Sequence, residues 1–358
     1  MGTLRTIFAI AVVFGHSWPN GMVFVGGRNA VQLFYVISGF LISYVLVEKK
    51  AYAKIRDFYI NRYLRLYPVY FCVAFLTIVA TTLLSSISTE TSSFFSVYVN
   101  APISADILLV LSNIFILGQD WVMFSGVENN TLVFAKDFFN SEVVLYRGLI
   151  VPQAWTLGVE LSFYLIAPFV LPRIRILYLL LALSLGLRIY LISTGLGLND
   201  PWTYRFFPTE LALFLLGALA HQKLLPYYRR VITKRLDIYS NAATYLLIIF
   251  SILYFLIPVK ELWRAIFLFA AFILLIPLTF IFQNRYRIDN WIGNLSYPIY
   301  IGHLLVAFIC GLVLKKFDIE NQQVISIFCV ILTIGFAVCL NKWIAEPFEK
   351  IRGKFRGP

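Results

Sequence analysis

The sequence predicts an all-α polytopic membrane protein. Of its 358 residues 60% are hydrophobic and 13% charged, the mean hydropathy is +0.81, and the apolar residues fall in runs near bilayer length. Full spans are read at 4–18, 30–47, 67–86, 153–171, 174–192, 207–222, 239–257, 263–282, 296–314 and 323–343, ten in all. They consume almost the whole chain, so one membrane domain over 1–358 is expected, with no appended soluble domain. The formal charge of +12 falls mostly in the short loops between spans. There it reads as a topology and anionic-lipid signal, and no nucleic-acid partner is expected. The first apolar run leads into Trp18-Pro19-Asn20 instead of a small-residue cleavage site, so no cleaved signal peptide is expected.

Loop charge orients the spans. The segment 48–66 carries Lys49, Lys50, Lys54, Arg56, Arg62 and Arg65 against Glu48 and Asp57, which makes it cytoplasmic and puts the N-terminus inside. The apolar stretch 105–118 is a further candidate, but if it crossed, the loop 119–152 would be cytoplasmic. That loop holds Asp120, Glu128, Asp137 and Glu142 against Lys136 and Arg147, and an acidic loop belongs outside. Reading 105–118 as re-entrant or interfacial places every later basic loop inside: Arg173 and Arg175, then Lys223, Arg229, Arg230, Lys234 and Arg235, then Arg285 and Arg287. The C-terminal tail, with Lys342, Lys350, Arg352, Lys354 and Arg356, is inside as well. The segment 87–152 is then the one large extramembrane piece, able to cover an outward-facing site.

Against this apolar background a few ionisable residues stand out. Arg5 and His16 bracket the first span and are eleven residues apart, almost three helical turns. They should share one face about 16 Å apart along the axis. Either they line a functional path or they mark the two interfaces. An imidazole partly shielded from water titrates near neutrality and can serve as base, acid or nucleophile. In Arg62-Tyr-Leu-Arg65, two guanidinium groups share a helix face at the cytoplasmic mouth of the third span. They suit a phosphate or pyrophosphate, or act as a positive flank.

Glu160 opens the fourth span in Trp155-Thr-Leu-Gly-Val-Glu160 and must be paired. Arg188 and Arg205 are candidate partners; alternatively Glu160 orients a catalytic group. Glu210 raises the same question and favours a structural pair. His303 lies in the ninth span, and His221, beside Lys223, is read as interfacial. Cys72, Cys310, Cys329 and Cys339 lie in apolar segments without metal-ligand spacing, so no metal is expected. Phosphate-cradling Gly-rich loops, His-Glu-x-x-His and Gly-x-Ser-x-Gly are all missing from the sequence. The work must draw on an ion gradient, a lipid-linked donor or an activated small molecule.

In order along the chain, Arg5…His16, Phe34-Tyr-Val-Ile-Ser38-Gly39-Phe40-Leu-Ile, Arg62-Tyr-Leu-Arg65 before Tyr67-Pro68, Trp155-Thr-Leu-Gly-Val-Glu160-Leu-Ser-Phe163-Tyr164, Ile292-Gly-Asn-Leu-Ser296-Tyr297-Pro-Ile-Tyr300-Ile-Gly-His303 and Glu346-Pro347 resemble the acyltransferase-3 family. These are integral membrane O-acyltransferases of bacterial surface polysaccharides, O-antigen and peptidoglycan. One departure is Leu161, where the family often has a second acid. The resemblance implies a multi-pass protein of the bacterial cytoplasmic (inner) membrane. It implies acetyl-CoA as the donor, with Arg62, Arg65 and Arg5 meeting its phosphates at the inner face. The acceptor would be a sugar hydroxyl of a glycan or lipid-linked polysaccharide such as lipopolysaccharide O-antigen. His16 would be general base or acyl carrier, Glu160 would orient it or stabilise its charge, and His303 would support either the donor or the tunnel wall. The rival expectation is a transporter or flippase of a lipid-linked glycan, with the intramembrane charges as its path.

Overall fold

The computed structural model describes residues 1–84, 89–232 and 235–355. Lys234, Arg356 and residues 85–86 of the expected third span lie outside them. The fold is mostly helical. Among the described residues, seven helices are long and apolar enough to cross a membrane: Gly27–Glu48, Ile55–Leu83, Ile174–Ser193, Leu236–Leu256, Glu261–Arg285, Arg287–Lys316 and Gln322–Gly353. At the other three positions expected to span, the helices are shorter: α1 (Gly2–Ser17), α6 (Trp155–Val170) and α8 (Phe207–Leu219). Apolarity fixed their positions, whereas their ends are set by tertiary capping and by proline. Helix α1 starts on a carboxylate from a distant segment and stops at Trp18, whose successor Pro19 disfavours helical backbone before it.

The chain divides into two compact units. The first comprises Met1–Val69, Leu171–Leu177 and Leu213–Pro358. It holds α1, α2 (Gly27–Ser43) with its π-helical extension Tyr44–Glu48, and α10 (Leu236–Leu253), α11 (Glu261–Arg285), α12 (Arg287–Asn294), α13 (Ser296–Lys316) and α14 (Gln322–Leu340). Helix α1 packs against α2, α12, α13 and α14, and its Leu4, Phe8, Ala9, Val12 and Val13 are buried. Lipid gives apolar helices little reason to associate, so close contact is arranged through small residues. A Cβ on Gly39 of α2 would sit 1.8 Å from the Phe214 carbonyl oxygen, and one on Gly217 would sit 2.0 Å from that of Val36. The Ser38-Gly39-Phe40 motif is therefore a backbone-to-backbone crossing.

His221, read as interfacial, is buried among protein groups. Its Nε2–H donates to Glu48 Oε2 at 3.0 Å, so its Nδ1 accepts from Ser43 Oγ, also at 3.0 Å. Arg229 closes the chain on Glu48 Oε1 at 3.0 Å. Ser43 is wholly buried, so this chain joins helix ends; it presents no accessible nucleophile. Sequence reading missed it because positions 43, 48 and 221 share no motif.

The second unit comprises Tyr70–Val170 and Tyr178–Ala212. Helix α5 (Ile103–Phe115) has 13 residues, about 20 Å at 1.5 Å per residue and short of a hydrocarbon core of about 30 Å. Asn113 near its end organises the segment that follows: it donates to Tyr98 Oη and the Gly148 carbonyl and accepts from the Ile150 N–H. The unit also contains a departure from the all-α expectation, a hairpin of β1 (Ser125–Glu128) and β2 (Thr131–Phe134) with Glu128 opposite Thr131. Its turn, Asn129-Asn130, has positive φ at both residues, the geometry of a two-residue hairpin loop that asparagine tolerates. The Asn-Asn pair before a β-branched and aromatic run was the available signal.

Candidate functional site

The site in the first unit is built on α1. Asp289 of α12 accepts from the Gly2 N–H at 2.7 Å and from the Thr3 N–H and Oγ1 at 2.8 and 2.6 Å, satisfying donors that a helix start leaves open. With Thr6 Oγ1 on the Ile292 carbonyl at 2.7 Å, this fixes α1 in register and hence both Arg5 and His16.

Arg5 is buried. Its guanidinium occupies the place where a Cβ on Gly293 would lie, 2.3 Å from Nη2. Thus Gly293 of the Ile292-Gly motif is a seat for arginine. Arg5 Nε is buried without a hydrogen-bond partner among the described residues. Arg65 is close enough to repel Arg5, and Asp289 attracts it while already committed to the α1 amides. A buried donor without a partner, next to a second positive charge, is an environment that favours a nearby anion. Arg62 is held differently: its Nη2 donates to Asn61 Oδ1 at 2.7 Å and Tyr52 Oη at 3.1 Å.

At the other end of α1, His16 is exposed and meets the fully buried His303 of α13, their ring centroids 4.9 Å apart. His303 Nδ1 lies 2.6 Å from the Tyr300 carbonyl and must donate to it. In a neutral ring its Nε2 is then an acceptor, 3.3 Å from His16 Nδ1. His16 Nδ1 also faces the Val12 carbonyl at 3.0 Å, so it carries the proton. The basic lone pair of His16 is therefore on Nε2. Sequence reading singled out both histidines but not their pairing, which depends on how α1 and α13 pack.

Glu160 lies on α6 in the second unit and accepts from Tyr164 Oη at 2.5 Å, a one-turn contact within the Glu160-Leu-Ser-Phe-Tyr164 motif. Of the two arginines considered for it, Arg188 pairs with the buried Glu210 at 2.9 Å and Arg205 with Asp200 at 2.7 Å. The first pair gives Glu210 the partner that a structural reading requires. Among the described residues, no group of three or more His, Cys, Asp or Glu side chains is placed to hold a metal ion.

A curated protein of Aquifex aeolicus, named "Uncharacterized protein", is 26% identical over 56% of this chain and 89% of its own length. A Staphylococcus aureus protein named "Putative O-acetyltransferase" is 23% identical over 97% of this chain and 56% of its own length. The Listeria monocytogenes peptidoglycan O-acetyltransferase OatA is 26% identical over 84% of this chain and 48% of its own length. The chain thus spans about half the length of the two relatives named for an activity. No solved structure matches it significantly. A sequence profile described as an acyltransferase domain matches residues 2–342, and with nearly the whole chain covered the protein belongs to the acyltransferase-3 family.

Proposed function

We propose that this protein is a bacterial inner-membrane O-acetyltransferase that moves an acetyl group from cytoplasmic acetyl-CoA to a sugar hydroxyl of a surface glycan. The observation that carries this reading is the layout of α1. A buried, unsatisfied arginine beside a second guanidinium lies at one end, and a paired histidine with its basic nitrogen on Nε2 lies at the other. CoA phosphates would meet Arg5 and Arg65, with Arg62 at the margin, and the pantetheine arm would run along the helix. His16 would take the proton of the acceptor hydroxyl as its oxygen attacks the thioester carbonyl, and return it to the departing CoA thiolate. A route through an acyl-histidine gives the same balance. His303 would position His16, and Glu160 would orient it or stabilise its charged form. Family membership favours acyl transfer over glycan transport. The acceptor is a surface polysaccharide, O-antigen or peptidoglycan; the name of the Listeria relative makes peptidoglycan the first to try. We further infer ten crossings with both termini cytoplasmic.

The test is transfer of labelled acetyl from acetyl-CoA to a mixture of peptidoglycan strands and O-polysaccharide in proteoliposomes. His16→Ala should lower the rate by roughly 100-fold or more with unchanged expression and donor half-saturation, and Arg5→Ala should raise the donor half-saturation. Wild-type rates in His16→Ala would sink the assignment.

A further inference from the structure

The second unit contains a cavity of about 760 Å³, lined by Asp120, Trp121, Phe124, Trp202, Phe206 and Ser162 among others. The volume is in the range of small-ligand sites. Its wall is a cluster of rings in mutual contact: Phe124 lies 5.3 Å from Trp202 and 5.5 Å from Phe206, both between centroids, and Trp202 lies 5.8 Å from Phe206. Trp121 stands at the mouth and is 59% exposed.

Within this aromatic surface sits one carboxyl. Asp120 is 1% exposed, and its Oδ1 has no hydrogen-bond partner among the described residues. Room for it is made by Gly158, where a Cβ would lie 2.7 Å from that oxygen and 3.1 Å from the Ile116 carbonyl. A glycine in the Trp155-Thr-Leu-Gly158 motif thus lets a polar group sit beside the cavity at a cost in solvation that only its own backbone N–H partly offsets. Such a group is explained by a ligand that supplies the missing hydrogen bond. Ser162 Oγ, which also lines the cavity, donates to the Gly158 carbonyl at 3.0 Å. Flat aromatic faces with a few placed polar groups match a pyranose, whose C–H faces are apolar and whose hydroxyls lie at the ring edge. An acyl chain would fit the rings but leave Asp120 unsatisfied.

We propose that this cavity is a glycan subsite, in which a neutral pyranose of the acceptor packs against Trp121, Phe124 and Trp202 and hydrogen-bonds through a hydroxyl to Asp120 Oδ1. The assignment of that sugar as the acceptor rests on the transferase reading above. The site itself is tested separately. Protein in nanodiscs, without donor, is mixed with chitotriose, maltotriose and mannotriose, and saturation-transfer NMR is recorded for wild type, Trp121→Ala and Asp120→Asn. Trp121 is largely exposed, so its loss removes little packing. At least one trisaccharide should give a signal, weakened about tenfold in affinity by either substitution and unchanged in His16→Ala. In the transfer assay both variants should raise acceptor half-saturation about tenfold, with donor half-saturation and the rate at saturating acceptor within twofold of wild type. Sugar binding that depends on Trp121 and Asp120 in a protein that transfers nothing would retain the subsite and remove the transferase reading. Sugar signals insensitive to both substitutions, absence of any sugar signal, or signal from added laurate alone would overturn the subsite.

Discussion

At the residue scale, Asp120 has a consequence that needs no ligand. Burial pushes its carboxyl up from the usual range to about 7. In the unfolded chain it titrates near 4. Below about pH 4 it is protonated in both states and costs nothing electrostatically; between about 4 and 7 the unfolded chain releases a proton that the folded protein keeps, so stability falls as pH rises. Asp120→Asn mimics the neutral form. The melting-temperature advantage of this variant over wild type should grow from pH 4 to 7 and then level off, as scanning fluorimetry in detergent would record. A constant gap would show that the carboxyl is not buried as described. Sequence alone could not single out Asp120, which is one of several acids in the segment 119–152. Arg5 and His16 were legible because charge is costly in an apolar run; Asp120 lies where charge is ordinary, and only burial distinguishes it.

At the element scale, apolar runs located the helices, while their lengths depended on partners remote in sequence. The α1 start capped by Asp289 and the Asn113 links between α5 and the chain after it are tertiary choices, invisible to hydropathy. Glycine motifs were legible as motifs but not as crossings. Gly39→Ala would drive a Cβ into the Phe214 carbonyl, and backbone cannot yield as a flexible side chain can. An overpacking cost of about 1–3 kcal/mol is expected, seen as a lower melting temperature and reduced monodisperse yield. Gly186 of α7 (Ile174–Ser193) has nothing within 4 Å of its would-be Cβ. There alanine should be neutral or stabilising by about 0.5–1 kcal/mol. Equal effects at the two positions would refute the crossing.

At the scale of the whole molecule, the charge pattern and the helix lengths set different requirements. Seven helices reach bilayer length among the described residues, whereas the loop charges are consistent with ten crossings and not with eleven. The short α1, α6 and α8 meet both requirements if they cross where the bilayer thins or where neighbouring helices and water line the path, which is where ionisable side chains are tolerated. Arg5 and His16 lie on α1, Glu160 on α6 and Glu210 on α8, so the shorter helices are the ones that carry these groups. Sidedness follows from the same pattern. In a variant lacking Cys72, Cys310, Cys329 and Cys339, Asn129→Cys in the hairpin turn should react with a membrane-impermeant maleimide in intact cells, and Lys50→Cys only after permeabilisation. Because the crossings are chained, the two positions test the segment between them: Lys50 and Asn129 on opposite sides require an odd number of crossings from 51 to 128. One crossing by α3 (Ile55–Leu83) satisfies this, and a second by α5 does not. The same labelling at both positions in intact cells would make α5 a crossing; if neither reacts there, the subsite of Asp120 also moves away from the outer face, where the proposed acceptor would arrive.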